Sequence, residues 1–370
     1  MATRPPTLSV VIVTHDSREA IGRTVPAVIA QLRDGDELIV ADNASADGTP
    51  TLVRELAPGA IVVETGANLG FAAACNRGAE AAGGELLCLL NPDAVPQDGW
   101  REAIERPLRQ GRGWSAWQAL VTADDGRIVN TRGGVVHFTG IAWAGGAGEP
   151  VAVGRVDDVI GGESGPVAGA ANGTVAAPAE SAEPGFVSGA CLAIPRRTYL
   201  DAGAMPEEFF LYHEDVDLSL RLRLAGGRLG VEPGARVDHE YEFAKGPEKW
   251  RYLERNRWAT LVRTYPAGLL AVLAPALLLT ELALIPVALA GGWLAPKLAA
   301  WGDTLRSLPR LLGERRAIQA RRSVRAAEFA AALSAELDSA YLGAAARSRL
   351  LRAGLRAYWS LALLLLGARR

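Results

Sequence analysis

The sequence predicts an α/β protein: a mixed, mainly parallel sheet flanked by helices, with a helical C-terminal region after it. Three observations carry that prediction. In the first hundred residues, short apolar runs alternate with stretches of helical period. The runs are apolar throughout rather than alternating, as in strands covered by helices on both faces. Beyond about Tyr265 the character changes, to a long apolar stretch and then an arginine-rich one.

Each element follows in order. Leu8–Thr14 (LSVVIVT) is the first strand, and Ser17–Leu32 an amphipathic helix with Ser17 placed to cap it. Glu37–Asp42 is a second strand and Thr49–Leu56 a short helix. Ile61–Glu64, the alanine-rich helix Phe71–Ala82 and the strand Glu85–Leu90 complete the alternation. In such sheets ligands bind beyond the C-terminal strand ends. Those ends carry Thr14–Asp16, Asp42–Ser45, Asn68–Gly70 and Asn91–Asp93, all polar and all expected on one rim. Trp114–Val121 and Ile128–Phe138 read as strands around an Asp125-Gly126 turn. Gly145–Gly185, rich in Gly, Ala, Pro and Glu, reads as a long surface loop. Phe186–Ile194 returns as a buried strand, and Arg236–His239 is a last short one.

The bulk numbers bound the function. The 370 residues carry a net charge of -2, which does not suggest a nucleic-acid binder. Cys75, Cys88 and Cys191 are scattered and form no CxxC pair, which fits a reducing compartment. The first apolar run is too short for a secretory signal, so the catalytic part is expected in the cytoplasm.

The most informative segment is Phe209–Arg221, FFLYHEDVDLSLR. It sets Glu214, Asp215 and Asp217 on an apolar background, which is costly unless the charges are paired or used. Asp217 and Arg221 stand one helical turn apart, where they can pair. Asp215 has no local partner. A carboxylate at the edge of an apolar pocket is a candidate general base; an acidic helix N-terminus favoured by the helix dipole is the plainer reading. On the rim, Thr14, Asp16, Asp42 and Asn43 suit a nucleotide base and ribose, though Asp and Asn favour turns anyway. Asn68, Gly70 and Asn76 lie in NLGFAAACNRG, which opens a helix and offers free N–H groups to an anion. No GxGxxG or Walker lysine motif is present, so neither a dinucleotide site nor a P-loop is supported. Asn91 and Asp93, in NPDA, suit either a hard divalent cation or an Asx-Pro turn. His239 is one of four histidines, in VDHEY.

VVIVTHDS, ADNASADGT, NLGFAAACNRGAE, LLCLLNPDA, VSGACLAIPRR and FFLYHEDVDLSLRLRLAGGRL, in that order, resemble the family 2 glycosyltransferases of the GT-A fold. The subgroup they resemble adds rhamnose or galactofuranose to bacterial cell-wall glycans. The resemblance spans roughly Leu8–His239. It implies Asp215 as catalytic base, with Asp93 and His239 holding a divalent cation, Mg²⁺ or Mn²⁺. Asn91 stands where the family has the first acid of its DxD, and His15-Asp16 where it has Tyr-Asn. It further implies inverting transfer from a nucleotide-diphosphate sugar, dTDP-rhamnose or a UDP-sugar, to a lipid-linked glycan acceptor. Asp217 and Arg221 are expected to position the turn that presents Asp215, and Glu214 to touch the acceptor. Two rivals are an inactive homologue serving as a membrane assembly partner, which Asn91 favours, and a sugar nucleotidyltransferase, whose Gly-rich, Arg-containing loop THDS does not match.

The expected division is a catalytic domain over 1–245 and a helical, membrane-associated region over 246–370. Ala267–Ala290 is long enough to span a bilayer but holds Glu281 and two prolines. One imperfect span, a re-entrant hairpin, surface-lying amphipathic helices, a self-packed helical domain and an oligomer interface all fit it. The basic run Arg306–Arg325 suits an anionic cytoplasmic leaflet of the plasma membrane.

Overall fold

The computed structural model describes residues 5–151, 183–239, 246–337 and 348–368. The chain opens β1 (Leu8–Thr14), α1 (Arg18–Ile29), β2 (Glu37–Asp42), α2 (Thr49–Leu56), β3 (Ile61–Glu64), α3 (Phe71–Ala81) and β4 (Leu86–Leu90). Next come β5 (Ala94–Pro96), α4 (Trp100–Arg109), β6 (Trp114–Ala123), β7 (Ile128–Thr131), β8 (Gly134–Val136) and β9 (Ala142–Ala144). Then follow β10 (Cys191–Pro195), α5 (Arg196–Asp201), α6 (Glu214–Leu224) and β11 (Arg228–His239). The last helices are α7 (Glu248–Thr264), α8 (Ala267–Ala290), α9 (Leu294–Ala320), α10 (Ala326–Ala331) and α11 (Arg349–Leu365).

Among the described residues the main sheet has nine strands, in the order β3-β2-β1-β4-β10-β6-β11-β5 with β7 on β6. β1, β2, β3 and β4 are parallel, and β10 runs antiparallel to both its neighbours. The unbroken apolar runs are explained by the two layers they face. Val10 and Ile12 of β1 pack with Ile21, Val25 and Trp100 on one side. Val11 and Val13 pack with Ala72, Cys75 and Leu218 on the other. Successive strand residues point to opposite faces, so a strand buried on both must be apolar at every position. Gly78 lets α3 sit close to the sheet, since a β-carbon there would lie 2.3 Å from Val11 Cγ1.

Three local expectations change. Ser17 stands at the head of α1 but its hydroxyl bonds the carbonyl of His15, and it caps nothing in the helix. The last strand is 12 residues long rather than four, because the Pro233-Gly234 break is absorbed as a register shift between Glu232 and Arg236. The run Phe186–Ile194 pairs as a strand only from Cys191. The β6–β7 hairpin forms around Asp124, Asp125 and Gly126, all with positive φ. Of Gly145–Gly185, residues 152–182 lie outside the described residues. The two ends are held side by side: Gly145 N–H donates to Gly133 O at 2.8 Å and Gly185 N–H to Gly134 O at 2.7 Å.

The C-terminal helices pack on α6. Val216, Leu220 and Leu224 of α6 share one apolar cluster with Leu261, Tyr265, Leu269, Leu273, Phe329 and Trp359. Each leucine fully buried this way contributes roughly 1.5–3 kcal/mol, so the helical region and the helix carrying Asp215 are held as one core.

Candidate active site

The site begins with a strained turn. Phe210, Tyr212 and His213 have φ of 62°, 70° and 67°, a conformation bulky residues avoid. Two devices hold it. Phe210 O accepts the Phe71 N–H at 2.6 Å, joining the turn to the head of α3. That approach needs Gly70, where a β-carbon would lie 2.4 Å from Phe210 O. From the other side, Asn256 of α7 donates its amide to the carbonyls of Phe209, Leu211 and Tyr212 at 2.7–3.0 Å. Asn256 is fully buried. Sequence reading passed over it because nothing in the helix ERNRW marks one amide as facing inward.

The turn delivers three carboxylates to the first turn of α6, each in a different state. Asp217 is buried and paired: Arg221 Nε donates to it at 2.6 Å, and Arg263 of α7 lies 3.1 Å away. The expected Asp217–Arg221 pair therefore forms. The Arg221 guanidinium continues to the carbonyls of Ala202 and Ala204, tying α6 to the end of α5. Asp215 is half-buried and meets backbone donors instead, Gly189 N–H at 3.0 Å and Val216 N–H at 2.8 Å. Burial pushes its carboxyl up to about 6, against the pull of those two donors. Glu214 is buried, and Oε2 has no hydrogen-bond partner. Burial first, and the Asp215 charge second, push its carboxyl well above the usual range. His213, also buried, is held down to about 4 by burial and by the Arg257 charge.

A second group forms where β4 ends. β11 pairs antiparallel with β5, setting His239 opposite Ala94. His239 Nε2 thereby lies 3.0 Å from Asp93 Oδ1 and 3.4 Å from Asn91 Nδ2. Residues 148 positions apart in the chain meet there, as Asn91 and His239 do. The segment preceding β10 links the two groups. Gly189 N–H holds Asp215, and the next residue, Ala190, accepts the Asn91 N–H at 3.1 Å. Gly189 also packs under Phe71, with a β-carbon position 3.2 Å from its ring. Its role was not read from the sequence, although VSGA stood among the resembling segments.

The remaining rim residues divide. Asp16 and Asn68 are exposed; Asp16 Oδ1 accepts the Ala46 N–H at 2.7 Å, and Asn68 Oδ1 the Gly70 N–H at 3.0 Å. Asp42 is 2% exposed and accepts from Thr14 Oγ1, Ser45 N–H and Ser45 Oγ at 2.6–2.9 Å. Three further residues expected at the ligand, Thr14, Asn43 and Asn76, are bonded within the protein. Thr14 is buried and its hydroxyl holds Asp42. Asn43 is buried and used at both ends, donating to Gly70 O and accepting from Leu69 N–H and Thr65 Oγ1. Asn76 donates to Met205 O and Glu207, and accepts from Tyr199 Oη at 2.6 Å and Met205 N–H at 3.0 Å. It fastens α3 to the segment before the strained turn. Buried amides must be satisfied, and here the protein itself satisfies them.

As a donor set, Asp93 and His239 with the Asn91 amide beside them fit a hard or borderline divalent cation that also takes oxygens from a ligand. No group of three or more His, Cys, Asp or Glu side chains arranged for a metal occurs among the described residues.

The family described as Glycosyl transferase family 2 matches residues 9–134. The N-acetylglucosaminyl-diphospho-decaprenol L-rhamnosyltransferase of Mycobacterium tuberculosis is 28% identical over 274 residues, 69% of this chain and 83% of that protein. The succinoglycan biosynthesis protein ExoO of Rhizobium meliloti is 32% identical over 124 residues, 33% of this chain and 36% of that one. Among solved structures, GalNAc-T7 with UDP, GalNAc and Mn²⁺ superposes with a TM-score of 0.52 at 17% identity. The match covers 73% of this chain and about half of GalNAc-T7, 51%. Residues 9–134 are thus similar to glycosyl transferase family 2, and the fold is similar to that of GalNAc-T7.

Proposed function

We propose that this chain is an inverting, metal-dependent glycosyltransferase that moves a sugar, rhamnose in the first instance, onto a lipid-linked glycan acceptor of the bacterial cell envelope. The donor is a nucleotide-diphosphate sugar, dTDP-rhamnose or a UDP-sugar, and the reaction takes place at the cytoplasmic face of the plasma membrane. The observation that carries this reading is Asp215: a carboxylate with backbone donors only, pushed up to about 6, on a strained turn linked through Gly189 and Ala190 to Asn91, Asp93 and His239. The lipid-linked acceptor follows from the mycobacterial relative, whose name specifies N-acetylglucosaminyl-diphospho-decaprenol.

In this reading Asp215 accepts the proton of the acceptor hydroxyl as that oxygen attacks the anomeric carbon from the face opposite the nucleotide. A carboxylate whose pKa lies near the working pH suits this task, since it is ionised yet still basic. The two N–H bonds fix its orientation. Asp93 and His239 would hold a Mg²⁺ or Mn²⁺ ion, which when bound offsets charge on the leaving diphosphate. Asp16, Asn68 and the edge of Asp42 would lie along the nucleotide, and Glu214 against the acceptor.

The test is transfer from radiolabelled dTDP-rhamnose and UDP-sugars to a prenyl-diphosphate N-acetylglucosamine, with Mn²⁺ or chelator, and the product's anomeric configuration read by NMR. The reading expects Mn²⁺-dependent transfer with inversion, abolished in Asp215→Asn. Product with retained configuration, or full activity in Asp215→Asn, would overturn it.

A further inference from the structure

The helix α8 is 24 residues long with mean hydropathy 2.2, long and apolar enough to cross a bilayer. Its two faces say otherwise. One stripe, from Leu269 through Leu277 and Glu281 to Ala288, is buried along the whole helix. Its first half packs in the cluster that includes α6, and its second half against Trp293 and Trp250. Glu281, mid-helix, accepts from Lys297 Nζ at 2.9 Å and Trp301 Nε1 at 2.7 Å and pairs with Arg257 of the charge-rich helix α7. A bilayer around α8 would have to receive α7 as well. The other face has no partner among the described residues, and every exposed residue on it is Ala, Gly, Pro or Leu. Leu278, Leu279, Leu282 and Leu289 are 54–67% exposed. A water-facing helix carries charge there.

The neighbouring helices repeat the pattern. On α9, Leu298, Leu305 and Leu312 are exposed at seven-residue spacing, one line along a helix. Arg316 continues that line, and exposed Arg321 and Arg322 follow. On α11, Leu350, Leu361, Leu364 and Leu365 are exposed, below a first stretch holding Arg349, Arg352 and Arg356. Leucines in line with arginines are the composition of a helix lying at a lipid headgroup boundary.

We propose that α8, α9 and α11 form a monotopic face that enters one leaflet of an anionic bilayer, with α8 lying along the surface rather than spanning it. The proposal rests on the function above only for the expectation of a lipid-borne acceptor. It chooses among the arrangements the sequence left open, because Glu281 is an internal ion-pair partner and not a charge facing lipid.

The experiment uses the full chain and sealed vesicles of phosphatidylcholine, with and without phosphatidylglycerol. The chain should float with the mixed vesicles, and less so with the neutral ones. Gly268→Cys and Ala290→Cys, one at each end of α8, should both react with a membrane-impermeant maleimide added outside; Cys75, Cys88 and Cys191 are buried. The double variant Leu279→Glu/Leu289→Glu should lose at least tenfold in vesicle binding with its melting temperature unchanged. Protection of one end until detergent is added would show a span and overturn the proposal. So would a folded chain that does not float, or a stable dimer in solution that buries these leucines. Flotation and labelling read no activity, and transfer to a water-soluble acceptor analogue reads no membrane, so the proposal and the proposed reaction can fail separately.

Discussion

Two groups of buried charge, one between α7, α8 and α9 and one at the head of α6, are built in opposite ways. In the first, Glu254 and Glu281 each meet both Arg257 and Lys297, the lysine at 2.5 and 2.9 Å. Despite burial, these cations hold the Glu254 carboxyl down at about 2. In the second, neither Asp215 nor Glu214 is paired with a cation among the described residues: one has backbone donors, the other an unbonded oxygen, and both carboxyls are pushed up. Asp217, on the same helical turn, belongs to the first kind. Charge that holds the fold is matched charge for charge, and the charge left to react is matched by dipoles only. The variants below separate the two kinds.

The largest effect is expected at Asp215. Asp215→Asn should lower kcat by about 10²–10⁴-fold, measured as transfer under saturating donor. The same change should stabilise the fold above pH 6. A carboxyl whose pKa is higher folded than unfolded penalises the folded state once it ionises. The penalty is absent below the ordinary value of 3.8 and complete above about 6. Its ceiling is about 3 kcal/mol. Melting temperatures of variant and parent should converge near pH 4 and separate near pH 7. A variant less stable than its parent at pH 7 would make Asp215 a structural acid like Asp217.

Next is the matched network. Glu281→Ala leaves Lys297 and Arg257 with one carboxylate, and breaking a buried pair from one side costs roughly 3–5 kcal/mol. Urea denaturation should show that loss. A loss under 1 kcal/mol would mean that α8 is not fastened to the body through Glu281, and would weaken the in-plane arrangement as well. Gly70→Ala comes third. The added β-carbon meets Phe210 O and Cα, and overpacking of this kind costs about 1–3 kcal/mol. Turnover should fall by more than that stability loss explains, because the strained turn that carries Asp215 has to move. Equal activity in a stable Gly70→Ala variant would show that the turn does not set the base.

How far the sequence anticipated this contrast depends on range. The four parallel strands were legible because burial on both faces writes itself into consecutive residues such as Val10–Val13. The Asp217–Arg221 pair was legible because it is four residues long. Asn256 and Gly189 were not, since each acts on a segment more than 20 residues away, Asn256 through bonds to three carbonyls and Gly189 through its N–H to the Asp215 carboxylate. Thr14, Asn43 and Asn76 were not legible as internal partners for a related reason. A polar residue at a strand tip looks the same in sequence whether it faces a ligand or a neighbouring carbonyl, and only the packing of Gly70 and Met205 against them decides. The long strand β11 was hidden by Pro233-Gly234, which reads as an end and is a bulge.

At the second half of the site, His239→Ala should raise the Mn²⁺ concentration needed for half-maximal donor stabilisation by roughly tenfold or more. Thermal shift with the nucleotide-sugar donor measures it. His239→Gln, which keeps a donor atom, should recover part of the loss. An unchanged Mn²⁺ requirement in both variants would leave His239 as a support for Asp93 alone.

The smallest effect is the most discriminating. Asp215 ionises near pH 6 and burial is the cause, while part of the upward push on Glu214 comes from the charge that Asp215 then carries. The reading to be tested is a neutral Glu214 beside a titrating Asp215. The acid limb of kcat/KM should fall below pH 6, and Glu214→Gln, a neutral shape-mate of a protonated acid, should leave that limb where it is. If the limb moves toward lower pH in Glu214→Gln, Glu214 is ionised in the working enzyme. The two carboxyls would then share their titration, and the unmatched charge at the head of α6 would be a coupled pair rather than one base beside a neutral acid.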